Sequence, residues 1–197
     1  MIKNISLKNS IKLMFLYITI PFYLIFLILS LFVEKDSIFR TFSQIVSLIP
    51  GKTGVYIRAA FYRLACQNTS DRISIGFLTV FSHHDTSICE GVYIGPQCNI
   101  GKCSIGKNTL IGSGVHILSG TRQHSFSDLN TPIQEQKGYY KKISIGEDCW
   151  IGNKSLIAQN VANKTIVAAA SVVISEFPPM TIVGGHPAKI IKDRDIR

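Results

Sequence analysis

Acidic side chains are scarce in this chain, with 12 Asp and Glu against 21 Lys and Arg, a formal net charge of +9 with the histidines neutral. The excess fits a solvated basic surface, attraction to an anionic membrane surface, or phosphorylated cofactors and substrates. Nucleic acid is excluded as the partner, because the chain has neither a recognition-helix signature nor the aromatic-plus-basic motif of a known reader. Paired cysteines are also lacking: the five cysteines form no Cys-x-x-Cys, and an odd count without that spacing fits a reducing compartment rather than a disulfide or zinc scaffold. At 197 residues there is room for one domain and an N-terminal attachment, not for a second enzyme domain.

Charge is missing altogether between Leu13 and Val33, where most side chains are large and apolar. That is about the length of ~20 residues a helix needs to cross a hydrocarbon core. No small-residue cleavage site follows, so the segment reads as retained, and residues 1–36 are assigned as a membrane-associated helix. Lys3, Lys8 and Lys12 precede it, while Lys35, Arg40, Lys52, Arg58 and Arg63 follow, which gives no inside–outside bias. Pro21 is expected to kink or break the helix, leaving a simple span or a re-entrant or interfacial form. Residues 37–72 form a helical segment. Ile38, Phe42, Ile45, Val46 and Ile49 have helical spacing, Pro50-Gly51 breaks it, and a second stretch interleaves Val55, Ile57, Ala60, Phe61 and Leu64 with Arg58 and Arg63. These helices are expected at a membrane interface, or as a cap over the exposed end of the C-terminal domain.

From Ile75 onward an aliphatic residue recurs about every six positions, usually followed by glycine, and a fixed internal period marks a solenoid. Counted around three sides, the first holds Ile75, Ile94, Ile111, Ile151 and Val167. The second holds Phe81, Ile100, Ile117, Ile157 and Val173, and the third Ile88, Ile105, Ile145 and Val161. Two positions before each rung lies a smaller or β-branched residue such as Thr79, Cys98, Cys103, Thr109, Cys149 or Ser155. Alternation in a strand puts both positions on the inward face. The glycines are expected to permit corner conformations that a Cβ would hinder. The ladder breaks from Leu118 to Lys142, leaving after the second side and returning at the third. Long excursions from a regular scaffold are usually functional.

These repeats resemble the hexapeptide-repeat acyltransferases, in particular the sugar O-acetyltransferases of polysaccharide biosynthesis. The likeness covers residues 73–192, with 193–197 as a tail. It includes the closing segments Val167–Val173, Phe177-Pro-Pro179 and Gly185-His-Pro-Ala-Lys-Ile190. It implies a mainly β fold, a left-handed parallel β-helix solenoid, assembled as a homotrimer. It also implies acetyl-CoA as donor and no metal. The acceptor would be a sugar hydroxyl of a membrane-linked glycan or its precursor, lipopolysaccharide, capsule or exopolysaccharide. A coenzyme A thioester places the domain on the cytoplasmic side of the inner membrane, and an interfacial or re-entrant N-terminal helix keeps both its ends there.

His124 lies in the excursion where members of the family carry their catalytic histidine. A sugar hydroxyl is a weak nucleophile until a neutral imidazole takes its proton, and histidine titrates in the right range. It comes seven residues after Ile117, where sugar acetyltransferases often have about five, and His116 is the rival, on a strand and facing outward. The resemblance makes the backbone N–H of Asn153 the oxyanion donor and puts the pantetheine arm beside Ala169 and Ala170, near Trp150, with Lys192 toward the nucleotide phosphates. His83, His84 and Asp85, at the same corner two coils earlier, are acceptor-binding candidates or surface polar groups. Asp128 is a further candidate, able to orient His124.

Three other functions compete. N-acetylation of an amino sugar uses the same residues. A carbonic-anhydrase-like zinc enzyme needs three histidines from neighbouring coils, and none occurs between Ser125 and Gly185. A non-catalytic membrane scaffold leaves His124 and its loop without a purpose.

Overall fold

The computed structural model describes residues 2–194, with side chains from residue 7. Helix α1 (Ile2–Leu29), α2 (Lys35–Ser47) and α3 (Gly51–Ala65) precede a three-faced prism of short parallel strands. Ser74–Ile75, Tyr93–Ile94, Leu110–Ile111, Trp150–Ile151 and Ile166–Val167 stack in register on the first face. The second face stacks Val80–Phe81, Asn99–Ile100, His116–Ile117, Leu156–Ile157 and Val172–Val173. Ser87–Ile88, Cys103–Ile105 and Ile143–Ile145 form the third, which Val161 joins by a bridge to Ile145. Thr181–Gly185 adds a strand to the first face, and Ala188–Asp193 folds back antiparallel on it.

The rungs are buried, and so is the row of smaller residues two positions before them. Full burial of an Ile side chain stabilises by about 1.5–3 kcal/mol. Most polar members of the inner row are satisfied by the coils themselves, the Thr165 hydroxyl being the exception. Thr79 Oγ1 donates to Gly95 O at 2.7 Å and accepts the Cys98 N–H at 3.1 Å; Thr109 repeats the pattern with Gly146 O and Cys149 N–H. Cys98, Cys103 and Cys149 lie in this row as buried free thiols.

The glycines after the rungs act by a mechanism other than the expected one. The left-handed backbone sits two residues later, at Leu78, Gln97, Asn108, Asp148 and Lys154. Gly152 instead allows close stacking, because a Cβ there would run into the backbone of Ala168 and Ala169 in the next coil.

The open end of the prism is covered by α2 and α3, as solenoid ends require. Tyr62 packs its ring 4.3 Å from Phe81, and Ser43 Oγ accepts the Phe81 N–H at 2.7 Å. Arg58 is fully buried between cap and coil, donating to Ile75 O at 2.8 Å, Ile49 O at 2.7 Å and Val46 O at 3.2 Å.

The prism has no room for an apolar helix, but its cap does. α1 lies along α3: Lys12 Nζ is 3.7 Å from Asp71, Phe15 stacks on Tyr56, and Phe26 is buried among Phe39, Phe42 and Phe61. The helix runs through Pro21 without a break. Its opposite face leaves Leu13, Tyr17, Ile18, Ile25 and Ile28 exposed, and Leu7–Leu29 is long and apolar enough to cross a membrane. At the other end Asp193 closes the last strand and Arg194 bridges to Asp148 at 3.2 Å; residues 195–197 of the expected tail lie outside the described residues.

Candidate active site

The excursion leaves the prism through a narrow neck. Tyr139 N–H donates to Arg122 O at 2.7 Å and Lys141 N–H to Ser119 O at 2.9 Å. Gly138 permits this approach, since a Cβ there would meet the carbonyl of Gln123. Asp85 pins the neck from below, 2.7 Å from Lys142 Nζ and 3.2 Å from Lys102 Nζ. Those lysines, Lys142 first and by hydrogen bonding, hold its carboxyl below the usual range against a smaller opposing effect of burial.

The residues of the neck divide between two clefts. His124 and Tyr139 open on one of about 360 Å³, walled also by Phe126 and Arg122. Gln123 and Tyr140 open on the other, of about 220 Å³, which His83, His116 and Arg40 of α2 also line. His124 is exposed, an imidazole available to a substrate from solvent. His83 is half-buried, and burial pulls it below the ordinary histidine range, opposed by Asp36 and reinforced by Lys102 and Arg40.

The neighbouring candidates have structural partners. His84 is bound to Asp36 on α2, its Nδ1 2.6 Å from Oδ1. Asp128 turns its carboxylate into its own loop, accepting the Asn130 N–H at 2.9 Å and the Thr131 hydroxyl at 2.6 Å, and does not orient His124. Among the described residues no group of three His, Cys, Asp or Glu side chains converges as a metal site.

A second constellation forms where the first face turns into the second. Asn153, Ala169 and Ala170 stack there, with Ala170 N–H donating to Asn153 O at 2.8 Å. At the equivalent turn of the coil below, the Ser113 N–H is taken by Asn153 Oδ1, and on the third corner the Glu147 N–H is taken by Asn163 Oδ1. Ala169 offers no such oxygen, and the Asn153 N–H has no acceptor among the described residues. A fixed amide of this kind suits an oxyanion. On the adjoining first face Trp150, Ile166, Ile182 and Lys192 lie in one outward row by strand register. Trp150 and Lys192 are both exposed there. The chain thus gathers Asn153, Ala169, Ala170, Trp150 and Lys192 along one edge, while His124 stands at the far edge of the second face.

Sequence reasoning missed Arg40 and Tyr140. Arg40 reaches the cleft only through the docking of α2, and Tyr140 only through the closing of the neck; no local pattern marks either.

The ladder, its break after the second face and the small-residue corner define a hexapeptide-repeat transferase. The family description "Bacterial transferase hexapeptide (six repeats)" matches residues 85–119. The chain is 30% identical over 126 residues to a probable macrolide acetyltransferase of Lysinibacillus sphaericus, covering 60% of this chain and 68% of that protein. It is 31% identical over 120 residues to a putative lipopolysaccharide biosynthesis O-acetyl transferase of Escherichia coli strain K12, covering 57% of this chain and 60% of the relative. A hexapeptide-repeat acetyltransferase of Vibrio cholerae, solved with acetyl coenzyme A, shares the fold with a TM-score of 0.67 at 21% identity, over 84% of this chain and 91% of that one. The chain belongs to the hexapeptide-repeat acetyltransferase family, and its prism is the left-handed parallel β-helix of that family.

Proposed function

We propose that the protein transfers an acetyl group from acetyl-CoA to a sugar hydroxyl of a membrane-linked glycan or its precursor. The observation that carries the reading is the Asn153 amide, unpartnered beneath the Ala169–Ala170 edge and aimed where a thioester carbonyl can lie against small side chains. The donor is supported by the Vibrio cholerae structure, and the acceptor class by the Escherichia coli relative. His124 takes the proton of the hydroxyl as its oxygen attacks the thioester carbon. The Asn153 N–H stabilises the oxyanion, the carbon–sulfur bond breaks, and the imidazolium returns the proton to the departing thiolate. Lys192 serves the nucleotide phosphates, and Trp150 lines the cofactor's path.

His124 and Asn153 stand at opposite edges of the second face, so one chain alone does not bring them together. A homotrimer resolves this by setting the His124 edge of one copy against the Asn153 edge of the next.

The membrane role falls to α1. It is docked on the cap from Lys12 to Phe26, about 21 Å of helix at 1.5 Å per residue, and so lies along the domain rather than leading away from it. Its exposed stripe of Tyr17, Ile18, Ile25 and Ile28 suits one leaflet of the inner membrane, and the chain's positive charge suits anionic headgroups. The prism then faces the cytoplasm, where acetyl-CoA is found.

Detergent-solubilised full-length protein incubated with acetyl-CoA and a panel of glycans should release free thiol and leave an acetate ester on one of them. Thiol release no faster than hydrolysis with every acceptor would contradict the proposal.

A further inference from the structure

The cleft on the other side of the neck from His124 is assembled from four parts of the chain. α2 contributes Arg40, the corner after Val80–Phe81 contributes His83, and the outward row of the second face contributes Asn99 and His116. Gln123 and Tyr140 of the neck complete it. Its volume of about 220 Å³ is several times the ~30 Å³ share of a water molecule, enough for one monosaccharide unit. The lining resembles a sugar site. The Tyr140 ring stands 5.2 Å from that of His83, planar amides come from Asn99 and Gln123, and no carboxylate is among the lining residues.

Arg40 is the informative member. Several cations around the cap and neck are matched, Lys102 and Lys142 by Asp85, Lys12 and Arg63 by Asp71, and Arg72 by Glu90, whereas Lys35, Lys52 and Arg122 have no ion pair among the described residues but do not line this cleft. The Arg40 side chain has no ion pair or hydrogen bond among the described residues, and it is exposed on the cleft side of α2. His83 has Nδ1 3.0 Å from Ser82 Oγ, which leaves Nε2 for a ligand. A planar guanidinium with two imidazoles across the cleft matches an oxyanion on a sugar.

The geometry points to this cleft as a subsite for an anionic group of the acceptor, a sugar carboxylate or a glycosyl phosphate, with Arg40 as its charge-matching residue. It rests on the acetyl-transfer reading only in naming the ligand as the acceptor. The cleft borders His124 across a single residue of the neck, so an extended acceptor anchored here passes the neck and offers its next hydroxyl to the base. The anchor also lies on the helix that packs against α1, the side from which a lipid-linked acceptor arrives.

Calorimetric titration of the full-length protein in detergent tests this with three probes: methyl glucuronide, glucose 1-phosphate and neutral methyl glucoside. At least one anionic probe should bind tenfold or more tightly than methyl glucoside, and Arg40→Gln should erase that preference while keeping the acetyl-CoA affinity. Preference for the glucuronide identifies a carboxylate as the recognised group, and preference for glucose 1-phosphate a phosphate. Equal binding of all three by the native protein, or an unchanged preference in Arg40→Gln, overturns the subsite. Anion binding that depends on Arg40 without thiol release from any acceptor keeps the subsite and removes the acetyl-transfer reading; thiol release without anion preference does the reverse.

Discussion

Oδ1 of Asp36 accepts both the backbone N–H of His84, at 2.9 Å, and its ring Nδ1–H, at 2.6 Å. The two residues are 48 positions apart, so this pair fastens α2 to the corner that carries His83. Arg40 lies one helical turn beyond Asp36 and shares its face of α2. The clamp therefore aims Arg40 at the cleft. A histidine that reads from sequence as an acceptor ligand holds the part that supplies one.

Replacing Asp36 by Asn should lower stability by about 1.5–3 kcal/mol, the usual worth of hydrogen bonds to a charged group. Burial raises the Asp36 pKa, but the His84 hydrogen bonds outweigh it and hold the carboxyl below the 3.8 of the unfolded chain. A depressed carboxylate stabilises fully above its unfolded value and loses that contribution as pH falls through the lower folded one. Denaturant midpoints of the native protein and Asp36→Asn should thus differ at pH 7, and the gap should narrow only as pH falls below about 4 toward the lowered folded value. A gap that does not narrow at all as the pH is taken down from 7 into this acid range would assign the effect to something other than this carboxylate.

Arg58→Ala should cost more. It takes the guanidinium donor from the carbonyl oxygens of Ile75 and Ile49, removes one of the two donors to Val46 O, and leaves a void under the cap. A loss of about 3 kcal/mol or more is expected, at roughly 1–3 kcal/mol for each buried group left unsatisfied. Thermal unfolding should show it as a drop of several degrees, and a midpoint within one degree of the native protein would refute the keystone role.

Charges placed on the outer stripe of α1 should detach the protein from membranes without unfolding it. Ile18→Glu with Ile25→Glu changes two exposed positions on the side away from Phe26. Vesicle flotation with anionic lipid should fall sharply while the unfolding midpoint stays put. Retained flotation would mean that the stripe does not face the bilayer.

Trp150→Ala should raise the KM for acetyl-CoA with little change in stability, because Trp150 stands outward on the first face with 56% of its surface exposed. By contrast Ile151→Ala, at the adjacent buried rung, should destabilise by about 2–5 kcal/mol. Equal effects of the two on the unfolding midpoint would contradict the inward–outward alternation.

The prism was legible because its period leaves no choice: each rung from Ile75 to Val173 stacks with the partners that counting sides assigned. The helices were legible from Ser37 to Cys66 for the same reason, an apolar stripe at helical spacing. The docking of α1 was not, because only the folded cap creates the pocket of Phe39, Phe42 and Phe61 that takes Phe26. Site positions followed the same rule. The place of His124 could be read from the break in the ladder. The partners of His84 and Asp85 could not, since Asp36 and Lys142 approach from 48 and 57 residues away.

The most direct test is the rate of thiol release from acetyl-CoA, in the presence of a glycan acceptor, by native protein, His124→Ala and His116→Ala. His124 is exposed and outside the ladder, so its removal leaves no core cavity and the unfolding midpoint should not move. Loss of general-base assistance should slow His124→Ala by about 10²–10⁴ with acetyl-CoA affinity nearly intact. Near-normal turnover in His124→Ala, with the loss appearing in His116→Ala instead, would contradict the assignment and move the base to the cleft beside Arg40.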